Sequence, residues 1–259
     1  MKFPIRILPY REFTLVKSSL EKTFTIVLFD ASFLISLLLL KVVLGHFSEI
    51  ISLPQSSLGV SMIFLFGVIY YMAIILVYSL FKFVIMGYIK NYFEKKHISF
   101  RNFWKFYRLN IFIAGIFLSI MIVLEYLLAG IKPEYQPYVF VMMAVPFSFC
   151  LYFAVNISHS CFNNEISVKV SVIRGMKDVF ACFRKYSNIL IFACTIAGAS
   201  LILFLFAGYA IRLLSSGNYA AYLNYYSIFK QASAIALWVL IYVVVFINRI
   251  SFYLAAKER

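Results

Sequence analysis

The chain has 259 residues, of which 64% are hydrophobic, and its mean hydropathy is +0.92. Soluble domains are about 45–50% apolar, so this composition excludes a water-soluble fold and predicts a protein that folds in lipid. The net charge of +14 at pH 7 would suit nucleic acid. The basic residues are instead distributed along the chain as in a membrane protein, and we predict no nucleic-acid partner.

Six long apolar segments follow one another along the chain, separated by polar links. They lie at 24–44, 58–86, 109–131, 138–160, 187–211 and 232–255. Each is long enough to cross a bilayer core, which takes about 20 helical residues. The sequence therefore predicts an all-α membrane protein whose six transmembrane helices form three hairpins in a single domain, 1–259. The resemblance among the hairpins indicates either an internal triplication or an ordinary series of basic-flanked hairpins.

The basic residues fall on alternate links. With the N-terminus on the inner side, all but four lysines and arginines lie on that side, the exceptions being Lys41, Lys132, Arg212 and Lys230. This positive-inside pattern predicts a protein of the cell membrane with both termini in the cytoplasm. The expected partner of the basic side is the anionic inner leaflet, which attracts each basic residue by about 1 kcal/mol.

Two inner links contain amphipathic stretches. In 97–108, a basic set (Arg101, Lys105, Arg108) opposes an aromatic set at helical spacing: Phe100, Phe103, Trp104 and Tyr107. In 168–185, a basic set (Lys169, Lys177, Lys185) opposes an apolar set: Val172, Met176, Val179 and Phe183. We predict interfacial helices at both places. They either anchor the spans as an ordinary aromatic belt or dock a cytosolic or membrane partner protein.

Polar residues inside the apolar segments define a candidate inner polar cluster. Its members are Asp30, Lys82, Asn156, His159, Asn248 and Arg249. Asp30 is central, because a first span that began after it would be too short to cross, which places it about 9–10 Å inside the inner boundary. A charge there costs several kcal/mol unless it is paired or wetted. The cluster is either a proton or solute path open to the cytoplasm, or a set of snorkelling and helix-joining side chains.

The outer half of the spans holds a smaller candidate cluster of Lys41, Glu125 and Arg212. Glu125 lies about one turn from the outer end of its span, so we predict either a pair with Lys41 or simple snorkelling. The link at 212–230 is predicted to be a longer, tyrosine-rich segment that is either interfacial or partly re-entrant, or else a simple interface turn. Small residues in the last two spans, from Ala193 to Ala199 and from Ala232 to Ala236, predict a tight hairpin there. Pro146 predicts a kink in the fourth span.

Catalytic motifs are missing from the sequence, which has no Walker lysine loop, no G-x-S-x-G and no H-E-x-x-H. Its aspartates are only Asp30 and Asp178. The four cysteines form no C-x-x-C pair and lie in spans or on the reducing side: Cys150, Cys161, Cys182 and Cys194. We therefore predict a protein that is not an enzyme, with no disulfide, no metal and no cofactor.

Two matching pre-span stretches carry a family resemblance. They are LVKSSLEKTFTIVLFDASF at 15–33 and VSVIRGMKDVFACFRKYSNILIFACTIAG at 170–198. With the six-span arrangement, they resemble prokaryotic and archaeal membrane proteins related to the membrane domain of glycerophosphoryl diester phosphodiesterases. The resemblance implies a membrane-embedded, non-catalytic module over most of the chain. It lends no functional residues, because the phosphodiesterase site of those proteins lies in a separate soluble domain.

These observations favour a non-enzymatic, multi-pass membrane protein that binds lipid or a partner protein. The alternative is the membrane-spanning subunit of a transporter, such as an ABC-type permease or exporter that works with a separate ATPase. Six spans and helical inner links suit that alternative, but the second link lacks the acidic-basic E-R-E-x-G run common there. An intramembrane enzyme is a third hypothesis with the least support.

Overall fold

A computed structural model describes residues 20–50, 57–94, 99–165, 167–181, 183–215 and 217–257 of the chain. In these ranges the backbone is helical, with no β-strand. The α-helices are α1 (Leu20–Ile50), α2 (Ser57–Glu94), α3 (Phe103–Ala129), α4 (Gln136–Glu165), α5 (Val168–Ala181), α6 (Phe183–Leu214) and α7 (Tyr219–Lys257). A 3-10 helix at Phe100–Asn102 precedes α3.

Six of these helices are long and apolar enough to span a membrane. The spans are Glu21–Val43, Ser61–Asn91, Phe100–Ala129, Gln136–Asn164, Ile191–Leu214 and Tyr219–Lys257. The all-α, six-span prediction is therefore confirmed. Helix α2 has 38 residues, which is about 57 Å at 1.5 Å per residue. Because a bilayer core is only about 30 Å thick, its ends extend beyond the hydrocarbon.

The chain divides into two compact units, one of residues 18–181 and one that contains 182–259. In the first, the four-span unit, neighbouring spans run antiparallel. Three ring contacts set their register, with centroid distances of 5.5 Å for Phe29–Tyr88, 5.7 Å for Phe83–Phe106 and 5.3 Å for Phe106–Phe162. Because α2 packs against α3 as well as against α1, the grouping of the spans into three equivalent hairpins stays a prediction.

Packing in the four-span unit is concentrated at one end, which we call the packed end: there α1 and α3 begin and α2 and α4 end. Residues 156–163 of α4 are all buried, so this segment of the helix is enclosed on every side. An aromatic cluster lies beside it and consists of Phe83, Phe103, Phe106, Leu109 and Phe162. Toward the other end large apolar side chains are exposed, such as Phe64 at 74% and Tyr126 at 82%. Lipid is the solvent that accepts such surfaces.

The stretch 97–108 does not form a separate interfacial helix in its described part. Residues 97 and 98 lie outside the described residues, and Ser99 Oγ accepts a 3.3 Å hydrogen bond from the Arg101 N–H at the start of the 3-10 helix. The rest of the stretch forms the first turns of α3. Its predicted aromatic face is split, because Phe103 is buried while Phe100 and Trp104 are exposed. Only the side of this stretch that carries Phe103 packs into the core.

Helix α5 folds back along the second half of α4, and its predicted apolar set is divided between two sides. Val179 is buried and Val172 packs against the aromatic cluster, whereas Met176 is exposed. Ser171, Gly175 and Asp178 are buried as well. At Gly175, a Cβ atom would lie 2.9 Å from the Ala154 carbonyl oxygen and 3.0 Å from the Ser158 Cβ, and would overlap the Ser158 hydroxyl. Real Cβ atoms do not approach backbone this closely, so the two helices pack this way only with glycine at this position.

In the two-span unit, α6 packs against α7. The link between them is short, because α6 ends at Leu214 and α7 begins at Tyr219. Gly217 has a φ of +94°, and Asn218 Oδ1 caps α7 by accepting from the Ala221 N–H at 3.0 Å. A long interfacial or re-entrant segment at 212–230 is therefore wrong, whereas the alternative of a simple turn fits the short link. Tyr219, Tyr222, Tyr225 and Tyr226 belong to the first two turns of α7.

The predicted small-residue contact between the last two spans is wrong at its centre. A Cβ atom on Gly198 would meet no atom within 4 Å, and Ala232 and Ala236 are exposed. The helices instead approach near their link, where a Cβ on Gly208 would lie 3.8 Å from the Phe229 ring.

We expect Gly175→Ala to destabilise the four-span unit by about 1–3 kcal/mol, because the methyl group must push α5 away from the α4 backbone. Thermal unfolding of the purified chain, followed by circular dichroism in mild detergent, measures the change. The matched control is Gly115→Ala, where a Cβ meets nothing within 4 Å and a slightly higher midpoint is expected. Equal midpoints for the two variants would contradict the close approach.

Candidate functional site

Buried polar side chains collect at the packed end of the four-span unit. Those on α1 to α4 include Asp30, Ser79, Lys82, Asn110, Asn156, His159 and Asn163. A polar group removed from water is costly unless it is hydrogen-bonded. The contacts of these groups therefore decide whether they serve packing or chemistry.

His159 lies at the centre of a hydrogen-bonded chain across three helices. Its Nε2 atom lies 2.7 Å from Asn110 Oδ1, and the Asn110 amide nitrogen donates to Ser79 Oγ at 2.8 Å. The Ser79 hydroxyl in turn donates to the Ile75 carbonyl oxygen at 2.6 Å. Because the Asn110 oxygen can only accept, His159 carries a proton on Nε2. The chain joins α4 to α3 and α3 to α2.

Aromatic rings surround His159 and exclude water from this chain. The imidazole ring centroid is 4.9 Å from that of Phe106 and 6.1 Å from that of Tyr78, and the side chain is fully buried. Since hydrogen bonds strengthen when water is excluded, these residues hold the three helices in one register. The amide of Asn110 interrupts any simple proton relay, because it does not readily exchange protons. The geometry therefore suits helix attachment better than proton transfer.

A second polar contact joins the ends of α2 and α4. Asn163 donates from its amide nitrogen to the Met86 carbonyl oxygen at 2.9 Å. Lys90 donates from Nζ to the Asn163 carbonyl oxygen at 2.6 Å. A lysine in this position satisfies a carbonyl that the last turn of a helix leaves without an intrahelical donor. Both contacts thus fix where α4 ends against α2.

Asp30 and Lys82 lie at similar depth on neighbouring helices. Two ring contacts set the register, Phe29–Tyr88 at 5.5 Å and Phe33–Phe81 at 5.9 Å. They bracket both residues, which therefore lie within about one helical turn of each other along the unit. Both side chains are buried, and each takes part in a hydrogen bond or electrostatic interaction.

Four of the six residues of the predicted inner polar cluster belong to the four-span unit. Asp30, Lys82, Asn156 and His159 all lie at the packed end, but Asn156 donates to the Tyr152 carbonyl oxygen of its own helix at 2.8 Å. Asn248 and Arg249 belong to the two-span unit. There Asn248 is buried and Arg249 is partly buried, in a segment of α7 where residues 246–248 are all buried.

Of the predicted outer cluster, Lys41 and Glu125 belong to the four-span unit and Arg212 to the two-span unit. Lys41 on α1 and Glu125 on α3 are both exposed, and α1 and α3 do not pack extensively against each other. Arg212 is exposed in the two-span unit. Their exposure fits snorkelling at a membrane boundary.

The predicted headgroup residues lie on outward surfaces of the four-span unit. On α3 and the 3-10 helix before it, Arg101, Trp104, Lys105 and Arg108 are exposed. On α5, Lys169 and Lys177 are exposed as well. Lys185 belongs to α6, and its side chain lies outside the described part of the chain.

Sequence reasoning missed Ser79, Asn110 and Asn163. Asn110 could have been found, because it follows Phe103 and Phe106 at seven and four residues and so shares their helix face. Ser79 gives no such signal, since serine is common in spans. Asn163 lay in a predicted link, because the fourth span ends at Asn164 rather than at residue 160.

The arrangement offers hydrogen bonding and charge at a helix junction. In the part of the chain that the structure describes, no group of three or more His, Cys, Asp or Glu side chains could hold a metal ion. The described cysteines Cys150, Cys161 and Cys194 carry reduced thiols.

We expect Asn110→Leu to lower the unfolding free energy by about 1–3 kcal/mol, because the buried His159 N–H loses its acceptor. The double variant Asn110→Leu with His159→Phe should recover part of this loss, since both partners become apolar. Ser119→Ala is the control, because that exposed hydroxyl bonds only to the Gly115 carbonyl of its own helix. Additive losses in the double variant, measured by thermal unfolding, would rule out the attachment role.

Asp30→Leu removes a buried negative charge at the depth of the buried Lys82 ammonium. We expect a loss of stability of about 3 kcal/mol, because the ammonium is then buried without an opposite charge. Adding Lys82→Met should restore much of the stability. Unfolding midpoints of the two single variants and the double variant give the coupling free energy. Unchanged stability of Asp30→Leu would show that the carboxylate is not a needed partner of a buried charge.

Comparison with known proteins gives no relative from which a role can be carried over. No family model matches the chain, no curated protein matches it, and no solved structure matches it. The function is therefore argued from the geometry of the described residues.

Proposed function

We propose that this six-span protein is a non-enzymatic membrane factor whose packed end binds acidic phospholipid headgroups in the cytoplasmic leaflet of the cell membrane. In this proposal both termini lie in the cytoplasm, as the alternation of basic links favours. The structure contains the six apolar helices, and their orientation is part of the proposal.

The observation that carries the proposal is the outward face of α5. Large apolar side chains point away from the unit, with Ile173 exposed at 53% and Phe180 at 76%. Lys169 and Lys177 lie on the same outward side. The inward side holds smaller side chains, where Gly175 approaches α4 and Val179 is buried. A helix that turns its large apolar residues outward needs a surface to cover them.

A lipid leaflet fits both parts of this face. Apolar residues between lysines are the pattern of helices that lie at the boundary of headgroups and acyl chains. Each lysine near an acidic leaflet contributes about 1 kcal/mol, and this contribution weakens with salt because the Debye length is about 8 Å at physiological ionic strength. Lysine stems can cover apolar surface while their ammonium groups reach the phosphates.

A non-enzymatic role is supported by the connectivity of the polar residues. His159, Asn110 and Ser79 are engaged in joining helices, and their hydrogen-bonded chain contains no nucleophile activated by a base. The resemblance to the membrane domain of glycerophosphoryl diester phosphodiesterases agrees with a non-catalytic module, and we retain it as part of the proposal.

We expect phosphatidylglycerol to raise the unfolding midpoint of the detergent-purified chain more than phosphatidylcholine does. In Lys169→Gln with Lys177→Gln, the acidic lipid should lose about 2 kcal/mol of its stabilising effect. The matched control is Lys132→Gln with Lys230→Gln, which removes the same charge from exposed residues predicted to lie on the outer side.

Two results would contradict the proposal. One is equal stabilisation by the two lipids in the unmodified chain. The other is an equal loss in both double variants, which would mean that only total charge matters. Recovery of a stoichiometric ATPase with the chain from native membranes would instead support the transporter subunit.

A further inference from the structure

One face of α3 carries basic, aromatic and small residues in a single line. Lys105 and Arg108 lie three residues apart on α3 and share one side of it, and Arg101 lies in the 3-10 helix directly before α3. All three are exposed, and Trp104 beside them is 61% exposed. Gly115 follows Arg108 by seven residues, which is two helical turns, and therefore continues the same line.

Beyond Arg108 the line opens into an apolar groove. The groove has a volume of about 530 Å³ and is lined by Ile111, Phe112, Gly115, Ile116, Ser119 and Ile120. It exists because Gly115 has no side chain and Ser119 has a short one, between four larger residues. The Ser119 hydroxyl donates to the Gly115 carbonyl oxygen at 2.9 Å. The groove floor therefore presents no free hydroxyl donor.

The depth of this line matches one leaflet. Tryptophan is enriched at the level of the headgroups, and Trp104 precedes the groove. If the hydrocarbon begins after Arg108, the remaining residues of α3 to Ala129 span about 31 Å, which is the thickness of a bilayer core. The groove then covers about the first 18 Å of it, the depth that the acyl chains of the inner leaflet occupy.

We propose that this face of α3 binds one acidic phospholipid. The phosphate contacts Arg101, Lys105 and Arg108, and one acyl chain lies in the groove over Gly115 and Ser119. The inference rests on the proposed function and gives it a second, defined site apart from α5. The N-terminal end of α3 adds a partial positive charge beside the phosphate.

Charge complementarity selects a lipid over a second helix as the occupant. Small residues four apart also permit close helix contact, and a copy of α3 would fit the groove by shape. Such a copy would bring a second set of Arg101, Lys105 and Arg108 to the same surface if parallel, and like charges repel. An acidic headgroup neutralises the three cations and supplies an apolar chain of suitable length.

Native mass spectrometry of the full chain tests this site, with phosphatidylglycerol and phosphatidylcholine added together before detergent is removed. We expect one phosphatidylglycerol retained per chain. Combining Arg101→Gln, Lys105→Gln and Arg108→Gln should weaken its retention about a hundredfold. Gly115→Leu and, separately, Ser119→Leu should also reduce retention by filling the groove. Gly67→Leu is the matched control, because a Cβ there meets nothing within 4 Å.

Each other outcome overturns the site. Equal retention of both lipids means an unselective lipid annulus, and retention unaffected by either groove variant means that no acyl chain lies there. A two-chain mass that Gly115→Leu abolishes means that a second copy occupies the groove. If selectivity for phosphatidylglycerol survives all α3 variants but not the α5 lysine variants, this site fails and the proposed function stands. If the unmodified chain shows no selectivity, both fail. Circular dichroism confirms that each variant is folded.

Discussion

The close approach of α5 to α4 is the constraint on which the rest of the four-span unit depends. A glycine at 175 lets the two helices meet with a Cβ position 2.9 Å from backbone. This contact turns the side of α5 with the smaller side chains inward and encloses the second half of α4. Once α4 is enclosed, His159 and Asn163 are buried, and they find partners on α2 and α3. The outward face of α5 is the other consequence of the same contact.

The four-span unit is closely packed at one end and open toward the other. Helices are joined to each other at the first end and are surrounded by lipid toward the second. Polar contacts in a water-poor interior hold the packed end in register, whereas lipid solvates the exposed spans. Ring contacts between Phe83 and Phe106 place the neighbourhood of Lys82 level with the first turns of α3. If Trp104 marks the headgroups there, Asp30 and Lys82 lie near them. The cost of burying these charges would then be smaller than at a depth of 9–10 Å.

Hydropathy and length were enough to predict six spans and an all-α fold, because a bilayer requires about 20 apolar residues for each crossing. Burial was harder to predict. The pattern at 168–185 put Val172, Met176 and Val179 in one apolar set of an interfacial helix, but the structure divides this set. Val179 is buried and Val172 packs against the aromatic cluster, whereas Met176 is exposed. Periodicity shows that a face exists; which face is buried depends on a tertiary contact between residues far apart in sequence.

The candidate site shows the same limit. Asp30, Lys82 and His159 could be selected because ionisable residues are rare in apolar segments. The partner of His159 could not be selected in this way, since Asn110 is neutral and lies at a predicted span boundary. Only the register of α3 against α4 brings Asn110 to 2.7 Å from the imidazole. Sequence rules thus identified the residues that are costly to bury, whereas only the packed structure shows which partners stabilise them.

Thiol accessibility along α5 tests the central claim most directly. In a chain whose native cysteines are replaced, one cysteine is introduced either at Ser171, which is fully buried, or at Phe180, which is 76% exposed. In mild detergent, a maleimide should label Phe180→Cys rapidly and should leave Ser171→Cys unlabelled until the chain is unfolded. Equally rapid labelling of both cysteines in the folded chain would contradict the fold-back of α5 and the lipid face built on it.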